Sequence, residues 1–169
     1  MKKIILILIA VILTIGSTFA QERPIHEIYS MMLFNFTRYV QWPAENEKEF
    51  VIGVIGNPDV YKTLNTWYNG KTKGNQTYVI KSFKAISEVT DCAVLFVDHA
   101  TAYEFETLKT KVKGKETLLI TAKDGYGERG SGINFTTVDN RLKFELNQKA
   151  IEASNLKVAG TLTSMAILI

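Results

Sequence analysis

Apolar residues recur at helical spacing from Pro24 to Gln41: Ile25, Ile28, Met32, Leu33, Phe36 and Val40. Pro24 suits a first helical turn, and Pro43 bars much continuation beyond the stripe. Tyr29, Met31, Phe34 and Tyr39 lie outside that stripe. A helix so rich in large apolar side chains must be covered on more than one side, by its own domain or by a partner.

The pattern then changes. Phe50 to Gly56 is a continuous apolar run with β-branched residues, the signature of a strand covered on both faces. Asn57-Pro58-Asp59 starts a helix with a capping side chain, a first-turn proline and an acid near the positive end. Val60, Leu64 and Trp67 carry its stripe, and Gly70 and Gly74 end it and turn the chain. Thr77 to Lys81 reads as a strand, Cys92 to Val97 as a buried strand, and Thr101 to Val112 as a helix closed by Gly114. Glu116 to Thr121 is a further apolar strand.

Ser131 to Val138 and Arg141 to Leu146 alternate apolar and polar residues across Asp139-Asn140, which predicts an antiparallel hairpin with a two-residue turn. Asn147 caps a short helix through Ala153, Asn155 is a left-handed stop, and the apolar tail from Val158 to Ile169 is expected to be a helix packed into the core. No repeat, low-complexity tract or interdomain linker interrupts this order. Alternating strands and helices followed by a hairpin predict an α/β fold: a single-domain sandwich, with a mixed sheet, helices on both faces and a C-terminal antiparallel hairpin.

The start of the chain restricts where such a domain works. Lys2 and Lys3 precede an unbroken apolar run from Ile4 to Ile15, then small residues ending in Ala20. This is the order of a secretory signal peptide, with cleavage expected after Ala20 and residues 21–169 as the mature domain. As a membrane anchor the apolar run would reach only about 18 Å, against a hydrocarbon core of roughly 30 Å. Export to the periplasm makes ATP-driven enzymes and transcription factors poor candidates. The formal charge of +3 falls to +1 without Lys2 and Lys3, which leaves no electrostatic footprint for nucleic acid. Cys92 is the single cysteine, so no intramolecular disulfide forms, and its strand context predicts a buried, inert thiol.

Catalytic constellations are sparse. His26 and His99 have no metal-ligand spacing. Asp98-His99 is the best acid–base fragment, because it follows a buried strand, where sites gather in open α/β sheets. The plainer alternative has Asp98 starting the next helix and His99 in solvent. No Gly-x-Ser-x-Gly elbow is present. Gly125-Tyr126-Gly127-Glu128-Arg129-Gly130 matches Gly-x-Gly-x-x-Gly, but a strand follows where a dinucleotide site needs a helix N-terminus, and Glu128 opposes phosphate. The match is better read as a mobile Gly-rich loop, either a binding loop or a connector. Trp42, Tyr61, Trp67 and Tyr68 form either a ligand-lining set or ordinary core packing. Arg141, Lys143 and Glu145 share the polar face of the last hairpin strand, either as a solvated ladder or as a partner-facing patch. No catalytic, cofactor or metal residue is assigned, and an enzyme is not expected.

Several segments, in order, carry a resemblance. Phe34-Asn35-Phe36-Thr37-Arg38-Tyr39-Val40-Gln41-Trp42-Pro43 closes a helix in an aromatic-Pro pair. Phe50 to Gly56 and Cys92 to Val97 supply two strands. Gly130-Ser131-Gly132-Ile133-Asn134-Phe135 continues through Arg141-Leu142-Lys143-Phe144-Glu145-Leu146-Asn147, with Ala150 and Leu156 beyond. In these features the chain resembles the YfiR family of exported regulatory domains. The resemblance implies a non-enzymatic periplasmic regulator with an α/β sandwich fold and a tendency to dimerise. It implies that the domain binds the exported part of a membrane-bound diguanylate cyclase or sensor histidine kinase, represses it, and so affects cyclic-di-GMP and biofilm formation. It points to Gly132, Ile133, Phe135 and Glu145 as the partner or regulatory surface, and Trp42 and Arg141 complete the residues expected there. It implies no cofactor and no nucleic acid. With Cys92 alone, intramolecular redox switching of the kind some members use cannot operate. The alternative is an exported ligand-binding module, for a cell-wall fragment or small molecule, without a signalling partner.

Overall fold

The computed structural model describes residues 23–43, 48–99 and 102–169. The segment read as a signal peptide, with its cleavage point at Ala20, lies outside these residues. Helix α1 spans Ile25–Tyr39 and passes directly into strand β1, Val40–Gln41. Strand β2 is Glu49–Ile55. Helix α2, Pro58–Tyr68, begins as its sequence demands: the Asn57 side chain accepts a hydrogen bond from the Val60 N–H. Gly70 and Gly74 then adopt positive φ in the turns around β3, Thr72–Lys73, which leads into β4, Gln76–Phe83.

A 3₁₀ turn at Ile86–Glu88 precedes β5, Val94–Val97. Helix α3, Ala102–Val112, leads to β6, Leu118–Thr121. Strands β7, Ile133–Val138, and β8, Arg141–Leu146, form the expected hairpin, with Asp139 and Asn140 both left-handed as a type I′ turn requires. The Asn147 side chain caps α4, Gln148–Glu152, by accepting from the Ala150 N–H, and Asn155 adopts φ 58° as a left-handed stop.

The tail departs from expectation. It is not one buried helix but β9 at Lys157–Val158, helix α5 at Gly160–Met165 and β10 at Ile167–Leu168. The Ala159 N–H donates to the Tyr39 carbonyl, which holds β9 against β1 and stops any helix from starting earlier. Leu162 is the buried anchor of α5, whereas Met165, Ile167, Leu168 and Ile169 remain exposed.

Eight strands form the main sheet in the order β10-β8-β7-β6-β5-β2-β4-β3. The block β7-β6-β5-β2-β4 is parallel, and β8 and β3 run antiparallel to their neighbours at its two sides. Along β2 the alternation divides the core in two. Phe50, Ile52 and Val54 face the larger layer under α1, α2, Ile151 of α4 and Leu162 of α5. Val51 faces the smaller layer under α3, where Phe105, Leu108 and Val112 pack. Helices therefore cover both faces of a single α/β domain.

The surplus aromatics of α1 are covered by the domain itself. Tyr29 stacks on Phe135 at 4.6 Å, and Phe34 lies flat on Tyr68 of α2 at 3.9 Å. Such pairs each add about 0.5–1.5 kcal/mol beyond burial, so this helix is bound by shape as well as by area.

Gly53 marks where the smaller layer is tightest. A β-carbon there would stand 2.6 Å from the Phe83 ring and 3.2 Å from Leu95. Gly53→Ala is expected to lower unfolding stability by about 1–3 kcal/mol, as overpacking of a filled core does. Urea denaturation followed by tryptophan fluorescence checks this.

Candidate functional site

The Gly-rich segment between β6 and β7 folds across the α3 side of the sheet and is held at many points. Its turns close through Tyr126 N–H to Lys123 carbonyl, Gly130 N–H to Gly127 carbonyl and Ser131 N–H to Tyr126 carbonyl. Tyr126 is buried, its ring 4.4 Å from Phe105. The Arg129 guanidinium lies over both rings and pairs with Glu106 of α3 at 2.9 Å. Hydrogen bonds from Lys109 and then Arg129 hold the Glu106 carboxyl below the usual carboxylate range. Lys109 Nζ also donates to the Arg129 carbonyl at 2.6 Å. The expected mobile loop is thus tied to α3 along its length.

Beneath the loop, Asn134 organises the join between the parallel sheet and the hairpin. Its Oδ1 accepts from Thr121 Oγ1 at 2.7 Å and from the Lys123 N–H at 3.2 Å. Its Nδ2 donates to Glu145 Oε2 at 2.8 Å, across the β7–β8 register where these two residues face each other. Asn134 is fully buried, so each of these groups would cost about 1–3 kcal/mol if left unpaired. Asn147 Nδ2 donates to the Gly127 carbonyl at 3.0 Å. Gly127 leaves no room for a side chain, because Glu145 Oε2 and the Ile169 side chain occupy the place of its β-carbon.

The residues named from the sequence fall into three groups. Gly132, Ile133 and Phe135 are buried. Gly132 links the strands through its N–H to Leu119 and its carbonyl to Asn147, while Ile133 and Phe135 belong to the larger core. Arg141 is exposed at the hairpin tip, and Glu145 is half-buried beside the loop. Trp42 lies at the other end of the sheet. Its indole N–H donates to the Glu116 carbonyl at 2.9 Å, just before β6, and its ring meets Phe50 edge-on. The hairpin thus gathers five of the six residues, and Trp42 stands apart. Asn134 and Thr121, which orient Glu145, escaped the sequence reading; the signal for Asn134 was an amide between two apolar strand residues.

The Asp98 carboxylate is engaged by Asn57 and does not accept a hydrogen bond from the neighbouring His99. Asp98 is buried, and its Oδ2 accepts from Asn57 Nδ2 at 2.7 Å, which ties the end of β5 to the start of α2. His99 is exposed, left-handed at φ 57°, and 3.5 Å from the same oxygen. Burial, reinforced by Asp91, pushes the Cys92 thiol up to about 12. Trp42, Tyr61 and Tyr68 pack against the larger core, and Trp67 meets Tyr68 edge-on. No group of three metal-ligating side chains occurs among the described residues, and no helix among them is long and apolar enough to cross a membrane.

Among the described residues, the most organised polar feature of this α/β domain is a loop fastened to a hairpin. The sequence model of the YfiR/HmsC-like family matches residues 26–167, and the chain belongs to that family. The family is one of periplasmic regulators of diguanylate cyclase rather than enzymes. None of the curated proteins compared with the chain matches it.

Asn134→Ala is expected to lower stability by about 2–3 kcal/mol, because Glu145, Thr121 and the Lys123 N–H lose a buried partner. Hydrogen exchange should show faster opening of residues 122–131 than of β2. The Cys92 thiol should resist Ellman's reagent in the native domain at pH 8 and react at once in denaturant, since only the thiolate attacks.

Proposed function

We propose that the mature domain is exported by the signal peptide in residues 1–20. It then binds the exported part of a membrane-bound diguanylate cyclase, or of a sensor kinase, and holds it inactive. The membership in a family of diguanylate-cyclase regulators carries this reading. The fastened loop and hairpin support it by presenting Arg141 and Glu145 on a stiff support, with Gly132, Ile133 and Phe135 as the buried frame behind them. Release by a signal lowers cyclase repression through differential binding, with each tenfold change in occupancy ratio requiring about 1.4 kcal/mol. Loss of the protein therefore raises cyclic-di-GMP and biofilm formation. No cofactor enters this mechanism. Dimerisation of the domain is part of the same proposal.

A second reading, an exported ligand-binding module, is favoured by one observation. A cleft of about 470 Å³ opens at the amino ends of the parallel strands, lined by Trp42, Phe50, Cys92 and Glu116. Against it, the Trp42 indole N–H is already engaged by the Glu116 carbonyl, which leaves the indole little polar specificity to offer.

The test pairs two measurements: capture of exported domains of the host's diguanylate cyclases by the purified mature domain, and cyclic-di-GMP in a deletion strain. The expected result is capture of at least one cyclase domain and a severalfold rise in cyclic-di-GMP. Unchanged cyclic-di-GMP with no captured cyclase or kinase contradicts the repressor reading.

A further inference from the structure

The sheet ends on an incomplete edge. Strand β8 has six residues, but β10 pairs only with Glu145 and Leu146. No strand lies on the outer side of Arg141 to Phe144 among the described residues. The Leu146 carbonyl accepts from the Ile169 N–H, so it points outward. Along an antiparallel strand, alternate residues turn their N–H and carbonyl to the same side, which directs those of Leu142 outward as well. The open stretch continues directly into β10, whose Ile167, Leu168 and Ile169 are exposed.

The side chains along this stretch have a definite character. Arg141 and Lys143 are exposed and project from one face. Glu145, next on that face, has one carboxylate oxygen held by Asn134. On the other face Leu142 is half-buried against the larger core. The incoming strand therefore meets two cations on one side and an apolar surface on the other.

We propose that the outer edge of β8 at Arg141 to Phe144 accepts an extended segment of a partner protein, in which acidic and apolar residues alternate. The segment adds a strand in line with β10. Main-chain hydrogen bonds supply the attachment, and alternate side chains set the specificity. Charge chooses this occupant over a second copy of the chain. Antiparallel pairing of two β8 edges would bring Arg141 and Lys143 of one copy against the same cations of the other, and facing like charges destabilise a strand pair. An acidic strand turns that repulsion into attraction. The inference rests on the regulatory reading above only in that the segment comes from a bound protein.

The test titrates the ¹⁵N-labelled mature chain with two blocked peptides, acetyl-Glu-Val-Glu-Val-Glu-amide and its lysine counterpart, at low and moderate salt. The acidic peptide is expected to bind at least tenfold tighter, to weaken severalfold with added salt, and to shift amides in residues 141–146 and 167–169. The double variant Arg141→Glu, Lys143→Glu should reverse the preference, and a reversal itself shows that the hairpin is folded. Should the double variant unfold, Lys143→Gln alone, at an exposed position, should weaken the acidic peptide severalfold. Equal affinities, no binding, or shifts confined to the Trp42 end overturn the proposal. So does a dimer in sedimentation that Lys143→Glu disperses, since the edge would then hold a second copy. Capture of a cyclase domain without peptide binding sinks the edge inference alone. Peptide binding at the edge without cyclase capture supports it while removing the cyclase.

Discussion

The Asn134 carboxamide is the hinge on which the architecture turns. It sits where five parallel strands give way to an antiparallel hairpin, at a place where β6 and β7 share only two paired positions. A junction so short would leave the loop and the β8 side weakly joined. One buried amide instead binds β6 through Thr121, the loop through the Lys123 N–H, and β8 through Glu145. The amide itself is fully buried and its bond to Thr121 lies in the interior, while those to the Lys123 N–H and Glu145 are partly buried, so an incomplete network is costly. Asn147 repeats the device one turn away, with one side chain both capping α4 and holding Gly127.

This arrangement matters more in a domain with a single cysteine. Cross-links cannot hold its loops, so packing and hydrogen bonds must. The larger layer supplies this through an aromatic chain: Tyr29 on Phe135, Phe36 against Phe144, Phe34 on Tyr68. Among the described residues, the smaller layer is covered by α3, the Ile86–Glu88 turn and the loop. Fastening Tyr126 and Arg129 to Phe105 therefore completes a core as well as anchoring a loop.

Much of this was legible in the chain. The caps at Asn57 and Asn147, the Asp139-Asn140 turn and the left-handed Asn155 announce themselves because local chemistry decides them. The continuous apolar runs at β2 and β5 gave the parallel core for the same reason. The tail misled because apolar composition without charge fits a buried helix and an edge strand alike, and only the contact of Ala159 with Tyr39 decides between them. Ile133 and Phe135 could be recognised as part of a motif, yet the motif's buried frame and its exposed rim look the same in sequence. Asn134 was invisible as a node, since its three partners come from β6, the loop and β8. Asp98 could be read as an acid–base fragment or as plain structure because a carboxylate at a strand end is common to both; its bond to Asn57 ties β5 to α2.

The contact proposed for this domain needs a surface that stays in place until a signal changes its partner's preference. The hairpin meets that need because its base is locked by Asn134 and its outer edge is left open. The most direct measurement is hydrogen exchange on the mature domain, alone and with the exported domain of the diguanylate cyclase it is proposed to bind. The account predicts new protection at Arg141 to Phe144 and at Ile167 to Ile169, with the amides around Trp42 and Glu116 unchanged. Protection confined to the Trp42 end, with the β8 edge exchanging as fast as in the free domain, would contradict it.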